Sequence, residues 1–265
     1  MLKFSLLFIL SSTILFSEIH YAKVEPYQTI TIKSAVSAKV LSVDLQSEGE
    51  MIGNGEIIHL DDVMDKIELN VSKESLAIFK SSLKINKDIL SSLNKSLKRQ
   101  KAYYQRINKL STASTNQKDN AFNNFVSSEN QYLSTKDKIG NIKKQILDMK
   151  LKIERLKDSI QKKSIKINNQ YLYKISVRAG DFVNPSSPLA IVQDQSKAKL
   201  TLFLEPNEIK DVHDKQIYID GNATDYRIDK IWNSADEKYI SLYRAEIYIK
   251  SPKRRFSSLV EIELK

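Results

Sequence analysis

LAIFKSSLKINKDILSSLNKSLKRQKAYYQRINKL, residues 76–110, decides the fold. Read every third and fourth residue, it gives Leu76, Phe79, Leu83, Asn86, Leu90, Leu93, Leu97, Gln100, Tyr104 and Ile107, eight of ten apolar or aromatic. Alternating steps of 3 and 4 line up along one stripe of an α-helix, the seam of a coiled coil. The pattern stops at Leu110, and the following Ser111–Gln117 is polar and rich in residues that favour caps and turns. A second seam then runs Phe125, Ser128, Tyr132, Thr135, Ile139, Ile142, Ile146, Met149, Ile153, Leu156 and Ile160, nine of eleven apolar. Two arms of similar length predict an antiparallel hairpin over 69–165, with its tip near 110–118. Arms of about 35 residues reach roughly 50 Å. One seam per helix suits a two-stranded projection, a spacer or probe with little concave surface for catalysis.

Composition agrees. From Glu56 to Ala179 there is no Pro and a single Gly, Gly140. The whole chain of 265 residues has 6 Gly and 5 Pro, too few turn formers for a protein made mostly of tight hairpins. Cys is absent, which excludes a disulfide framework, a cysteine-liganded metal and a cysteine nucleophile. The three histidines, His20, His59 and His213, are scattered along the chain and predict no metal centre. The net charge of +10 belongs to Lys-rich solvated helix faces, with no basic run interleaved with aromatics, so nucleic acid is not an expected partner.

The stretches flanking the hairpin repeat each other. Before it lies Val40–Leu45, Gly49-Glu50-Met51-Ile52, then Gly55–Asp61; after it lies Tyr173–Val177, Gly180-Asp181-Phe182-Val183, then Pro188–Val192. Each alternates apolar and polar residues at the period of a half-buried strand and carries a Gly-acidic turn. Neither half has enough strands to enclose a core alone. The two must meet in space as one small β-sandwich split by the hairpin.

Beyond residue 196 the chain reads as strands at Leu200–Glu205, Gln216–Ile219, Tyr226–Trp232, Tyr243–Ile249 and Leu259–Leu264, with a short helix at Pro206–Val212. Several evenly spaced strands and one short helix predict a small β-barrel. At the other end, Met1–Ser17 has one Lys and then about 13 apolar-rich residues, long enough for a signal peptide and short of the roughly 20 a spanning helix needs. Cleavage is expected near Ser17–Glu18, and an uncleaved anchor is the alternative.

Catalytic signatures are missing. There is no phosphate-binding Gly-x-x-x-x-Gly-Lys loop, no Gly-x-Ser-x-Gly elbow and no His-Glu-x-x-His helix. Asp61, Asp62 and Asp65 form an acidic cluster that reads as charge at a helix amino terminus rather than a cation site. Met64-Asp65-Lys66-Ile67 superficially matches the Asp-Lys turn of acyl-carrier domains. A carrier lysine needs its returning strand within a few residues, and about 100 helical ones intervene, so Lys66 reads as a surface residue. No enzyme activity, cofactor or metal is expected.

Gly49-Glu50…Gly55…Leu60-Asp61, paired with Gly180-Asp181-Phe182-Val183…Leu189, resembles the split lipoyl-like domain of periplasmic adaptor proteins, the HlyD-like membrane fusion proteins. The hairpin tip resembles that family's Arg…Leu…Ser signature through Arg106, Leu110 and Ser114, trailed by Asp119 and Ala121. Three departures stand out: about three residues fewer between Leu110 and Ser114, Ala38 where the family has Gly, and Ile165–Tyr171 where it opens with Ala-Pro. The resemblance implies an elongated α+β protein: signal peptide 1–17, lipoyl-like halves 18–68 and 166–195 around the hairpin, and a β-barrel over 196–265. An additional membrane-proximal domain is expected to be absent or vestigial.

The function so implied is that of an adaptor linking an inner-membrane transporter, RND or ABC, to a TolC-like outer-membrane channel. The setting is the periplasm of a Gram-negative cell, at the inner membrane, with the copies forming a homo-oligomeric, hexameric ring. Arg106, Leu110, Ser114 and Asp119 are the residues implied to meet the channel, with Arg106 and Asp119 also candidates to pair across the tip. The alternative is an exported coiled-coil tether or scaffold without a pump partner.

Overall fold

The computed structural model describes residues 19–250 and 255–265. The expected signal peptide, residues 1–17, lies outside them. In chain order the elements are β1 (Ile19–Lys33), β2 (Ala38–Val43), β3 (Met51–Leu60), α1 (Val63–Lys109), α2 (Thr115–Lys163), β4 (Ser164–Ile175), β5 (Phe182–Val183) and β6 (Pro188–Leu204). There follow α3 (Pro206–Ile209), β7 (Ile217–Ile219), β8 (Asn222–Ala223), β9 (Lys230–Ala235), β10 (Tyr243–Lys250) and β11 (Leu259–Leu264). The chain is α+β, a long helical hairpin standing on a curled, largely antiparallel sheet.

The hairpin follows the seams. Each of the ten seam positions of α1 and the eleven of α2 is buried or half-buried, while the lysines around them are exposed. Ile139, Ile142, Ile146 and Ile153 of α2 are the most enclosed. Asn86 is the buried polar residue of the α1 seam, and its amide donates to the Ser82 carbonyl at 2.8 Å, so it is not left unsatisfied.

The helices are longer than the apolar seams alone predict. They have 47 and 49 residues, or roughly 70 Å each. On α1 the extra length lies at the base, where the seam turns polar, and on α2 it lies mostly at the tip, over residues 115–124. Continuing the 3/4 spacing backwards from Leu76 gives Ser72, Leu69 and Asp65. Ser72 is buried, and Asp65 accepts from the Ser159 hydroxyl at 2.7 Å and pairs with Lys163 at 2.9 Å. Ions and hydroxyls complete what the hydrophobic count cuts short.

The two flanking stretches interlock. β2 pairs with β3 on one side and with β5 on the other, Ala38 opposite Val183, while β3 pairs with β4 and β4 with β6. Each Gly-acidic turn bonds into the other half in the same way. Gly49 N–H donates to the Leu172 carbonyl at 2.8 Å, and Leu172 N–H donates to the Glu50 carbonyl at 2.9 Å. In the other half, Gly180 N–H donates to the Val40 carbonyl at 2.9 Å, and Val40 N–H donates to the Asp181 carbonyl at 2.8 Å. Both glycines have positive φ, 84° and 98°, which a side chain would strain. Val40 and Leu172, the strand residues held by these bonds, are fully buried in a core shared with Ile57, Ile58, Leu60 and Leu189.

A second core lies beyond it, built from Val24, Leu200, Leu202, Leu204, Ile217, Ile247 and Ile262. β1 and β6 run through both. On β6, Leu189 and Val192 face the first core, and Leu200 to Leu204 the second. β1 pairs with β11 over Ile19–Lys23 and with β6 over Val24–Lys33, with a bulge between Pro26 and Gln28. The expected strand at Tyr226–Trp232 begins later, at Lys230. Asp229 explains the delay: its N–H still reaches the Glu246 carbonyl at 2.9 Å, but its carboxylate takes the Tyr248 N–H at 2.8 Å and replaces a ladder bond.

Candidate functional site: the hairpin tip and its base

The tip is a three-residue turn between two caps. α1 ends at Lys109, and Leu110 N–H closes the last turn onto the Ile107 carbonyl at 3.1 Å. Leu110 then takes an extended backbone, with its side chain nearly half exposed. Ser114 starts α2 with a capping box. Gln117 N–H donates to the Ser114 hydroxyl at 3.3 Å, and Ser114 N–H donates to the Gln117 side-chain oxygen at 3.0 Å. Ser114 therefore has a structural role of its own, satisfying amides that a helix start otherwise leaves open.

Arg106 and Asp119 are both exposed and form no ion pair with each other among the described residues. The Arg106 guanidinium lies 5.9 Å from the Tyr103 ring centroid instead. Just below the turn, Tyr104 stacks on Phe125 with centroids 5.9 Å apart and meets Phe122 at a tilt, 5.4 Å away. Buried Ala121 permits the close approach of the helices there. This aromatic clamp holds the tip rigid while leaving Tyr103, Leu110 and Phe122 exposed. The seam reading contained Tyr104 and Phe125. Tyr103 and Phe122 lie off the seam, so periodicity did not single them out.

The base is electrostatic. His59 at the end of β3 has its Nδ1 2.8 Å from Glu56 Oε1 and its Nε2 3.3 Å from Asp62 Oδ1. Asp62 is buried, and its second oxygen lies 2.8 Å from Lys66 Nζ. Burial pushes the Asp62 carboxyl up, but the Lys66 hydrogen bond and the charges of His59 and Lys66 outweigh it and hold the group below its ordinary value. Asp65 behaves likewise: burial raises it, while the Ser159 and Lys163 hydrogen bonds and the Lys163 charge bring the net shift down. Glu56 Oε2 accepts from the Ser164 hydroxyl at the start of β4. Both crossings between sheet and hairpin are thus pinned by the same network.

That network accounts for the acidic cluster. Asp62 and Asp65 are committed to Lys66 and to Lys163 and Ser159, and Asp61 accepts from the Val63 N–H at 3.2 Å at the start of the helix. Among the described residues no group of three or more His, Cys, Asp or Glu side chains is placed to hold a metal ion. Lys66 sits on a helix, engaged with Asp62, and not at a hairpin turn between strands.

Comparison with known proteins places this geometry. No family model matches the chain, and no curated protein matches it in sequence. Among solved structures it is similar to MacA from Actinobacillus actinomycetemcomitans, with 15% identity and a TM-score of 0.73 over 94% of this chain and 78% of that one. A MacA–MexA chimera carrying the α-hairpin domain of Pseudomonas aeruginosa MexA matches at 14% identity and TM-score 0.62, covering 94% and 81%. A membrane fusion protein from Streptococcus pneumoniae matches at 9% identity and TM-score 0.63, covering 94% and 99%. The likeness is one of fold and spans sheet and hairpin together. The resemblance to membrane fusion proteins read from the sequence stands at that level. No described helix is long and apolar enough to cross a membrane.

Proposed function

We propose, from the fold shared with membrane fusion proteins, that this chain is a periplasmic adaptor joining an inner-membrane transporter to an outer-membrane channel. In this reading the interlocked β halves are the split lipoyl-like domain, and the second core is the β-barrel that follows it. The hairpin projects from them toward the channel. The observation that carries the reading is the clamped tip: a helical turn presenting Leu110, nearly half exposed, between Arg106 and Ser114. An exposed apolar residue on a stiff support is an anchor for a helical partner, while Arg106 donates hydrogen bonds beside it. Asp119, one turn down α2, borders the same contact.

The work is mechanical and organisational. No nucleotide-binding loop exists in the sequence, so energy comes from the transporter. Several copies, six in the reading the resemblance suggests, ring together so that sheets stack around a conduit and tips meet the channel. The base network at His59, Asp62 and Lys66 fixes the angle between the two.

Affinity purification of the full chain from cells after mild detergent extraction tests the proposal. The native chain brings down a channel and a transporter, and Leu110→Asp loses the channel while keeping the transporter. Retention of both by Leu110→Asp removes the tip assignment. Absence of a transporter from both preparations removes the adaptor reading in favour of a coiled-coil tether.

A further inference from the structure

Asn followed two residues later by Ser or Thr, with no Pro between, is the acceptor signal for an N-linked glycan in an exported protein. The chain has three such triplets: Asn70-Val71-Ser72, Asn94-Lys95-Ser96 and Asn222-Ala223-Thr224. Asn184-Pro185-Ser186 is excluded by its proline. Glu68 and Asp220 stand two positions before the first and last asparagine, each a carboxylate for a cationic side chain of a transferase to hold. On sequence, Asn70 and Asn222 rank level.

The fold separates them. Asn70 and Asn94 lie inside α1. Residues two apart on a helix point about 200° from each other, so amide and hydroxyl cannot be read together. Ser72 is also buried in the seam. Asn222 instead follows a turn. Asp220 and Gly221 have φ of 47° and 75°, the two positive values of a tight hairpin loop, and Ile219 faces Asn222 across it. Thr224 N–H continues the ladder onto the Ile217 carbonyl at 3.0 Å, so Asn222 and Thr224 keep the two-residue period that puts side chains on one face.

The acceptor is also accessible. Gly221, Asn222 and Ala223 are all exposed. The Asn222 amide nitrogen donates to the Asp220 carbonyl at 3.1 Å, while the Asp220 carboxylate accepts the Glu261 N–H at 2.9 Å and anchors the turn. β8 is two residues long and ends the sheet, paired with β7 and with no other described strand. Lifting it costs those two pairs and the bond from the Thr224 hydroxyl to the Ile217 carbonyl, 2.8 Å, and uncovers no fully buried side chain of its own.

We infer that Asn222 is the acceptor of an N-linked oligosaccharide. The donor class is an oligosaccharide on a polyprenyl diphosphate, used by a membrane-bound oligosaccharyltransferase. Asn222 Nδ2 attacks the anomeric carbon; a C–N bond forms as the C–O bond to the diphosphate breaks. The polyprenyl diphosphate leaves with that electron pair, and Nδ2 gives up one proton. One N–H remains on it, enough to keep a bond to the Asp220 carbonyl. The glycan then covers an edge strand, whose outer backbone groups are otherwise open to pairing. The inference rests on the export that the adaptor reading supposes.

Peptide mass spectrometry of the full chain, purified from envelopes of its own cells, tests this, with channel and transporter followed in the same preparation. The Asn222 peptide carries the added mass of an oligosaccharide. Asn222→Gln returns the chain to the mass of the polypeptide alone. Thr224→Ser keeps the glycan, and Thr224→Val loses it although Asn222 remains. A wholly unmodified Asn222 peptide, a glycan at Asn70 or Asn94 instead, or an added mass that survives Asn222→Gln overturns the inference. A plain Asn222 on a chain that brings down channel and transporter removes this inference and leaves the adaptor reading. A glycan at Asn222 with neither partner does the reverse.

Discussion

The two parts of the molecule bury their apolar residues to very different degrees. In the sheet, Val40, Leu60, Leu172, Leu189, Leu200, Leu204 and Ile262 are wholly enclosed. In the hairpin most seam positions are only half-buried, and the outer faces still expose Ile78, Ile85, Leu147 and Leu151. Burial scales with the free energy it returns, so the sheet holds the fold while the hairpin leaves apolar surface exposed, which the adaptor proposal assigns to partners. A long projection that closed all its apolar surface on itself would have nothing left with which to dock.

The sharpest way to break that contrast is a substitution at the point where the two halves of the sheet interlock. Leu172→Ala is expected to cost about 2–5 kcal/mol, because the side chain is fully enclosed and its backbone ties the Gly49 turn. Denaturant melts followed by sheet and helix signals should move together. A loss confined to the hairpin would mean that the sheet is not what holds the fold.

Acid probes the joint between the parts. The carboxyls of Asp62 and Asp65 are held below their ordinary values in the folded chain. A depressed carboxyl contributes stability that is fully present above the unfolded value of about 3.9 and is lost as pH falls through the lower folded value. Hydrogen exchange should therefore show the base, residues 63–72 and 156–163, losing protection below pH 4 while the sheet core around Leu200 stays closed. Equal loss in both regions would mean that the base is not a separate electrostatic joint.

The smallest effect belongs to the tip. Ser114→Ala removes the oxygen that caps α2 and should cost about 1 kcal/mol, read as faster exchange over 115–118 with no change in the sheet. At the high-pH end, the Tyr248 hydroxyl is pushed up to about 12, by its hydrogen bond to Glu246 and then by burial. The neutral phenol is the favoured form, so whatever Tyr248 contributes to stability persists below the unfolded value near 10 and is lost as pH rises through about 12.

Much of this was legible in the residues. The 3/4 spacing from Leu76 to Ile107 and from Phe125 to Ile160 placed both helices and the turn, because apolar side chains on a two-stranded coil have only one face to occupy. The Gly-acidic pairs at Gly49 and Gly180 pointed to the interlocked halves, since each needs positive φ. The helix start at Val63 was hidden because Asp65 and Ser72 occupy seam positions there, and only the opposing Lys163 and Ser159, distant in sequence, make them fit. At the tip, Arg106 and Asp119 looked able to pair, but the turn sets them apart and gives Arg106 to Tyr103. The base network at His59 was equally hidden, since Glu56, Asp62, Lys66 and Ser164 meet only once the hairpin has closed.

The most direct test of the division between closed sheet and docking hairpin is a photo-crosslinking scan in cells along residues 104–121. The account predicts capture of an outer-membrane channel, strongest at Leu110 and falling toward Tyr104 and Ala121, where the aromatic clamp turns inward. Crosslinks at Leu110 only to the protein itself or to cell-wall components would contradict it.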